Sequence, residues 1–202
     1  QGEKVKVTCT KSNEGFATAG GVQYVACAGN FKDAGLEYTG ALKVLQMIFS
    51  YEYLWIQIRV KGGAYGCMCS FSDQGDSMFV TYRDPNLSES YKVYDEAADY
   101  VADFDADDRD MKKYIIGTIG SMDMPMEAVD MGARSFHAYF LDKTEADLQK
   151  VRDQVLSCTQ EDIRALAPIV KAVVESGNRC CIGNEEKIDQ NKEYFDEVKH
   201  VL

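Results

Sequence analysis

Two short β-type segments, residues 66–72 and 77–82, flank a turn at residues 73–76 with the sequence Asp-Gln-Gly-Asp. Apolar segments on either side of a short, glycine-containing turn are typical of a β-hairpin. Strands joined by such a turn pair with each other and run antiparallel. This chain is therefore expected to fold around a sheet that contains at least one antiparallel hairpin.

Strand patterns also occur near the two ends of the sequence. Residues 5–9 alternate between apolar and polar side chains, and residues 22–28 are rich in β-forming residues. Residues 179–183 predict one more short strand. After it, residues 189–201 have apolar spacing that predicts a last helix.

Between residues 86 and 176 the apolar residues recur at intervals of three and four, which indicates a run of helices. Thr144 and Thr159 are the expected N-caps of two of these helices. Another helix is marked by Met126, Val129, Ala133, Phe136 and Phe140. Hairpin strands followed by a run of helices predict an α+β fold, an antiparallel sheet covered on one face by helices. A doubly wound parallel sheet would instead alternate strand and helix, so we expect a single α+β domain over residues 1–202.

The charge balance excludes two classes of partner. The chain carries 22 Lys and Arg against 33 Asp and Glu, a formal net charge of −11. Nucleic-acid binders need basic side chains to neutralise phosphates, and anionic membrane surfaces attract basic segments. No run of about 18 apolar residues is present either. We therefore expect no nucleic acid and no membrane among the partners.

Seven cysteines is an odd number, which does not suit a disulfide framework. The spacing of Cys67 and Cys69 is not that of a zinc knuckle, and Cys180 and Cys181 would point to opposite faces of a strand. We expect core cysteines without a metal, in a reducing compartment such as the cytoplasm. No signal peptide follows Gln1, but a targeting segment before that residue would direct the protein to an organelle.

No complete catalytic set is visible in the spacing of reactive residues. His137 and His200 are the two histidines, and neither has a partner at zinc-ligand spacing. The Gly-x-Ser-x-Gly motif of serine hydrolases and the glycine patterns of phosphate-binding loops are missing as well. Arg59, Gly62, Gly63 and Tyr65 nevertheless come together where a helix meets a strand.

Arg59 and Tyr65 are the candidate functional residues of that segment. Both side chains can donate hydrogen bonds to a carbonyl or an oxyanion, and glycine lets a ligand approach the backbone closely. A structural explanation is also open, in which Arg59 closes the helix and Tyr65 packs in the sheet.

The chain resembles the C-terminal half of the insulinase/pitrilysin family of zinc metallopeptidases, in the presequence protease and falcilysin branch. Several separate sequence blocks keep their order and carry the resemblance: residues 29–31, 38–45, 53–55, 59–66, 82–87 and 95–98. The resemblance extends over nearly the whole chain.

The resemblance implies a fold, a cofactor and partners. Members carry four homologous α+β domains in two hinged halves, which close around a chamber that admits unfolded peptides. Zinc is bound in the first domain by an inverted His-x-x-Glu-His motif and a later Glu. This chain lacks that motif and resembles the fourth domain. Its implied partners are the N-terminal half of the same polypeptide and unfolded peptides, and zinc is a cofactor of the full-length enzyme only.

The resemblance also implies a role for the candidate residues. Arg59 and Tyr65 match an Arg and a Tyr that the family's fourth domain extends across the chamber to the zinc site. There they would hold the scissile peptide and stabilise its oxyanion. An alternative from another class of function is a non-catalytic binding or assembly module related to the same family.

Overall fold

The computed structural model describes Val5 and residues 11–201. Within these residues a six-stranded sheet has the strand order β3-β4-β2-β5-β1-β6. The strands are β1 (Glu14–Thr18), β2 (Tyr24–Asn30), β3 (Gly66–Phe71), β4 (Asp76–Tyr82), β5 (Asn178–Asn184) and β6 (Glu197–His200). The strand expected from the alternation of Val5, Val7 and Cys9 lies, apart from Val5, outside the described residues.

The sheet is mixed, which refines the expected antiparallel arrangement within the confirmed α+β class. The pairings β3–β4, β4–β2 and β2–β5 are antiparallel, whereas β1 runs parallel to both β5 and β6. Strands β1 and β2 run in opposite directions, and β5 lies between them. A strand in that position must be parallel to one of its two neighbours.

Residues 189–201 do not form the expected last helix. A short helix, Glu185–Gln190, ends at residue 190, a 3₁₀ turn follows at Lys192–Tyr194, and β6 comes after it. The backbone N–H of Asp196 donates to the Asn13 carbonyl at 2.8 Å, and the N–H of Val201 donates to Ala17 at 2.8 Å. The segment around β6 therefore forms its backbone hydrogen bonds with the free edge of β1, as a strand. This tertiary pairing overrides the local helical spacing.

The helices are α1 (Ala41–Tyr51), α2 (Ser88–Asp95), α3 (Ala97–Ala102), α4 (Asp108–Met122), α5 (Ala128–Phe140), α6 (Glu145–Leu156), α7 (Gln160–Arg164), α8 (Ala167–Glu175) and α9 (Glu185–Gln190). Thr144 and Thr159 cap α6 and α7 as expected, each in a capping box with an Asp at the third helical position. In the described part of the chain, none of these helices combines the length and apolarity needed to cross a bilayer.

The core lies between one face of the sheet and the helices. Helix α1 is amphipathic, and its buried residues face the sheet: Leu42, Leu45, Ile48 and Phe49 are all fully buried. The Phe49 ring centroid lies 5.8 Å from that of Phe79 on β4. The opposite face of the sheet is uncovered in the described residues and exposes large apolar side chains: Tyr24, Met68, Met78, Tyr82 and Ile182.

The six described cysteines are free, and all of them except Cys180 belong to the core or pack against it. Cys27, Cys69, Cys158 and Cys181 are buried, whereas Cys180 is half-buried and projects to the other face of β5. Burial raises the pKa of the Cys27 thiol to about 11 and that of Cys181 to about 12. These thiols are therefore neutral at physiological pH and act as small apolar groups.

Replacing Phe79 with alanine tests which face of the sheet is buried. Its ring is fully buried against Phe49, Phe71 and Tyr94. We expect Phe79→Ala to lower the free energy of unfolding by about 3–5 kcal/mol, because the lost ring leaves a cavity. Met78→Ala on the exposed face is the control and should lower it by less than about 1 kcal/mol. Urea denaturation measures both, and equal losses would contradict this assignment of faces.

Candidate functional site

The candidate residues lie where a π-helical segment, Trp55–Lys61, ends and β3 begins. The Gly62 N–H donates to the Gln57 carbonyl at 3.0 Å, and the Ala64 N–H donates to the Ile58 carbonyl at 3.1 Å. These wide hydrogen-bonded loops reverse the chain within a few residues. Single π-helical turns inside helices occur frequently at functional sites.

Two glycines make the reversal possible. Gly63 has a φ of +81°, a conformation that residues with a side chain rarely adopt. A Cβ on Gly62 would lie 2.5 Å from the Ile58 carbonyl oxygen, which is closer than van der Waals contact allows. The Gly-Gly pair is therefore required by the turn itself, whatever binds beside it.

Residues just after β4 hold this turn in place. The Asn86 side-chain amide donates to the Gly62 carbonyl at 2.6 Å, and the Tyr65 N–H donates to the Arg83 carbonyl at 3.2 Å. Asp84 is fully buried and accepts hydrogen bonds from the Ser90 hydroxyl at 2.6 Å and the Asn86 N–H at 2.9 Å. Burial raises the pKa of the Asp84 carboxyl, and the hydrogen bonds it accepts oppose that shift.

Arg59 is fixed by two contacts. Its Nη1 donates to the Tyr65 backbone carbonyl at 2.8 Å, and its guanidinium carbon lies 4.3 Å from the centroid of the Trp55 ring. The second contact has the geometry of a cation–π interaction. Among the described residues, the bond to the Tyr65 carbonyl is the one hydrogen bond that the guanidinium makes. The other N–H groups of its planar fork are free to donate to a ligand.

Tyr65 lies beside Arg59 at the end of the uncovered face of the sheet. Its ring centroid is 5.8 Å from the Arg59 guanidinium carbon and 5.7 Å from the Tyr82 ring, which it meets edge to face. Tyr82 in turn lies 5.5 Å from Tyr24 on β2. Tyr65 remains 66% exposed, so it packs against the sheet with one edge and presents the rest of the side chain to solvent.

The structure thus brings Arg59 and Tyr65 together on one exposed rim. Sequence reasoning did not assign functions to Trp55, which supports the guanidinium, or to Asp84, which anchors the turn. Trp55 could have been found, because it lies four residues before Arg59 and so shares its helical face. Asp84 could not, because it acts on the turn through Asn86, whose bond to the Gly62 carbonyl joins segments 24 residues apart.

The histidines lie elsewhere. His137 is on exposed α5, and His200 is on β6, where its Nδ1 is 3.2 Å from a carboxylate oxygen of Glu185. Within the described residues no three His, Cys, Asp or Glu side chains converge as a metal site. The described part of the chain therefore does not provide the set of ligands that a zinc site requires.

Sequence comparisons identify relatives over most of the chain. Residues 13–184 match the family model described as the PreP C-terminal domain. Protein HypA of Clostridium perfringens is 43% identical over 192 residues, which cover 95% of this chain and 20% of that protein. Presequence protease 1, chloroplastic/mitochondrial, of Arabidopsis thaliana is 33% identical over 194 residues, covering 94% and 18%. The chain thus spans about a fifth of the length of these relatives.

Solved structures share the fold at low sequence identity. A peptidase M16 inactive domain from Pseudomonas fluorescens superposes with a TM-score of 0.60 at 17% identity, covering 90% of this chain and 46% of that one. Pitrilysin superposes with a TM-score of 0.54 at 12% identity, covering 87% of this chain and 20% of that one. At these identities the similarity is one of fold.

Substituting Gly62 tests whether the turn is held as described. We expect Gly62→Ala to lower the free energy of unfolding by about 1–3 kcal/mol, because the new Cβ must displace the Ile58 carbonyl. The control is Gly66→Ala, since a Cβ there lies at ordinary contact distance, 3.8 Å, from the Tyr82 Cβ. It should not lower stability. Chemical denaturation compares the two, and a neutral Gly62→Ala would contradict the close approach.

Proposed function

The chain belongs to the family of PreP C-terminal domains, and from this membership we propose that it is the fourth domain of a zinc metalloendopeptidase of the M16 type. In this proposal residues 1–202 form one domain, and the enzyme degrades unfolded peptides in a closed chamber. The chain supplies Arg59 and Tyr65 to bind the substrate and stabilise the oxyanion. The observation that carries the proposal is the convergence of these two donors on one exposed rim.

The proposal needs polypeptide beyond this chain. The relatives are about five times longer, and the proposal assigns the zinc-binding residues to a preceding part of the same protein. The described part of this chain cannot supply them. The N-terminal half of the longer polypeptide is therefore the proposed partner, and the isolated chain is inactive.

Arg59 and Tyr65 suit different moments of peptide hydrolysis. Arg59 is permanently charged and its backbone bond to Tyr65 fixes its direction, so it can hold a substrate carbonyl already in the bound state. Tyr65 offers a neutral hydroxyl donor, which costs less to remove from water. Its hydrogen bond strengthens as negative charge develops on the reacting carbonyl oxygen, and this stabilises the transition state selectively.

The uncovered face of the sheet supports the proposed substrate class. Tyr65 adjoins Tyr82, and Met68, Met78 and Ile182 extend the apolar surface across neighbouring strands. A contiguous exposed apolar surface marks a site of interaction. In the proposed chamber this face lies towards the substrate, where it would contact the apolar side chains that unfolded peptides expose.

The second candidate is a non-catalytic binding or assembly module. It is favoured by the missing metal-ligand set in the described residues, and one structural neighbour is itself described as an inactive domain. The two candidate functions predict different properties of the longer protein. If its preceding sequence carries a zinc motif and the whole cleaves peptides, the chain is part of a protease; a longer protein without hydrolysis is a module.

The buried, free cysteines support a reducing compartment for the chain. The Arabidopsis relative is named chloroplastic/mitochondrial. We place this chain in the cytoplasm or in an organelle of similar redox state.

Tyr65→Phe in the full-length enzyme tests the oxyanion role. We expect kcat for an unfolded peptide to fall by about 10²–10³, the usual effect of losing one oxyanion donor. KM should change little, because the contact forms mainly in the transition state. Tyr51→Phe is the matched control, since Tyr51 is as exposed as Tyr65 and lies on α1. Wild-type turnover by a folded Tyr65→Phe enzyme would refute the role.

Arg59→Ala tests the binding role. We expect KM to rise and kcat to fall, each by about tenfold or more, because the charge-assisted bond to the substrate carbonyl is already present in the bound state and strengthens as negative charge develops in the transition state. Lys61→Ala removes a cation from the same segment and is the control; its ammonium bonds Gln57 instead. Steady-state kinetics of both variants measures the effects. A similar loss in Lys61→Ala would show that only net charge matters.

A further inference from the structure

Helix α5 stands apart from the core. In the described structure none of its thirteen residues is buried, although every other helix of eight or more residues buries at least one. One side of α5 faces the rest of the chain, because Ala138 is half-buried and Arg134 lines a cavity together with Lys43 and Lys143. The side that faces the body thus carries Ala138, Arg134 and Met131, and Met131 remains 56% exposed.

The apolar side of α5 faces outward. Val129, Ala133, Phe136 and Phe140 follow one another at intervals of four, three and four, which places them in a single stripe. The rings of Phe136 and Phe140 are 4.6 Å apart, and Tyr139 meets Phe140 edge to face at 5.7 Å. Val129, Phe136, Tyr139 and Phe140, which we call the α5 face, are each between 66% and 80% exposed.

Such a helix needs a partner. Isolated helices shorter than about 12–15 residues are marginal in water, and most helical stability comes from packing the apolar side. In α5 that packing is missing from the described residues. Clustered exposed aromatic side chains also mark interaction surfaces in soluble proteins.

We propose that the α5 face docks onto an apolar surface of the same longer polypeptide, formed by sequence outside residues 1–202. The proposal rests on the proposed function in one respect, that the chain is part of a longer protein. The length of the relatives supports this occupant, because about four fifths of each lies beyond the matched region. In pitrilysin the shared fold likewise accounts for 20% of the chain.

A covalently attached partner also suits the physics better than a transient one. A helix that depends on its partner for stability needs that partner permanently, and permanent interfaces are the more apolar class. A peptide substrate occupies its site only during turnover. The α5 face is therefore assigned to intramolecular packing, and substrate contacts are assigned to the rim of Arg59 and Tyr65 and to the uncovered face of the sheet.

Hydrogen exchange in the full-length protein tests the docking. We expect Phe136→Glu to speed exchange of the α5 amides by about tenfold or more, because a buried charge opens the interface. Ile116→Glu on α4 is the matched control, since Ile116 is 70% exposed and lies outside the α5 face. It should leave α5 exchange unchanged. Fast α5 exchange in the unmutated full-length protein would overturn the proposal.

A photo-crosslinking side chain at position 136 identifies the occupant. We expect crosslinks to sequence that precedes Gln1 or follows Leu202 in the same polypeptide. Crosslinks to residues 1–202 of a second copy, crosslinks only to added substrate peptide, or no crosslinks would each overturn the proposal. Peptide hydrolysis is measured in parallel: inactivity together with an intramolecular crosslink would refute the proposed protease function and leave the docking supported.

Discussion

The packing of α1 on the sheet is the contact on which the rest of the molecule depends. The Phe49 ring on α1 meets Phe79 at 5.8 Å and also lies near Phe71 and Tyr100, so it joins two strands and a helix at one point. The chain leaves α1 at Tyr51 and soon enters the π-helical segment that carries Arg59. The position of the candidate site is therefore set by the hydrophobic packing of Phe49, which lies about three helical turns before Arg59.

The local elements of the fold could be predicted from sequence because their causes are local. The β3–β4 hairpin follows from its turn, in which Gly75 adopts a φ of +98°, and the caps Thr144 and Thr159 follow from side chains next to the backbone they bind. The placement of β5 between β1 and β2 and the edge pairing of β6 depend on partners far along the chain. Local residue patterns do not encode such pairings. The sequence therefore did not predict that the sheet is mixed or that the last segment is a strand.

The same distinction applies to the candidate site. The Gly-Gly reversal and the donors Arg59 and Tyr65 lie within residues 59–65 and were visible as one segment, and the role proposed for the two donors is the one that the family resemblance implies. Their support was not visible: Asn86 reaches back to the Gly62 carbonyl, and Asp84 is held by Ser90. Nor could periodicity show that the regular apolar stripe of α5 faces away from the core, since spacing defines a face but not its direction.

The position of β5 in the sheet has a consequence for the order of folding. Asn13 accepts a hydrogen bond from the backbone of Arg179, 166 residues later. Within this chain β1 is therefore synthesised before most of the other elements, but its neighbours β5 and β6 are made only near the other end. The β3–β4 hairpin and α1 can assemble first, while the edges of β1 remain unpaired. Pairings of such long range slow folding, and an unpaired strand is exposed to association with other chains in the meantime.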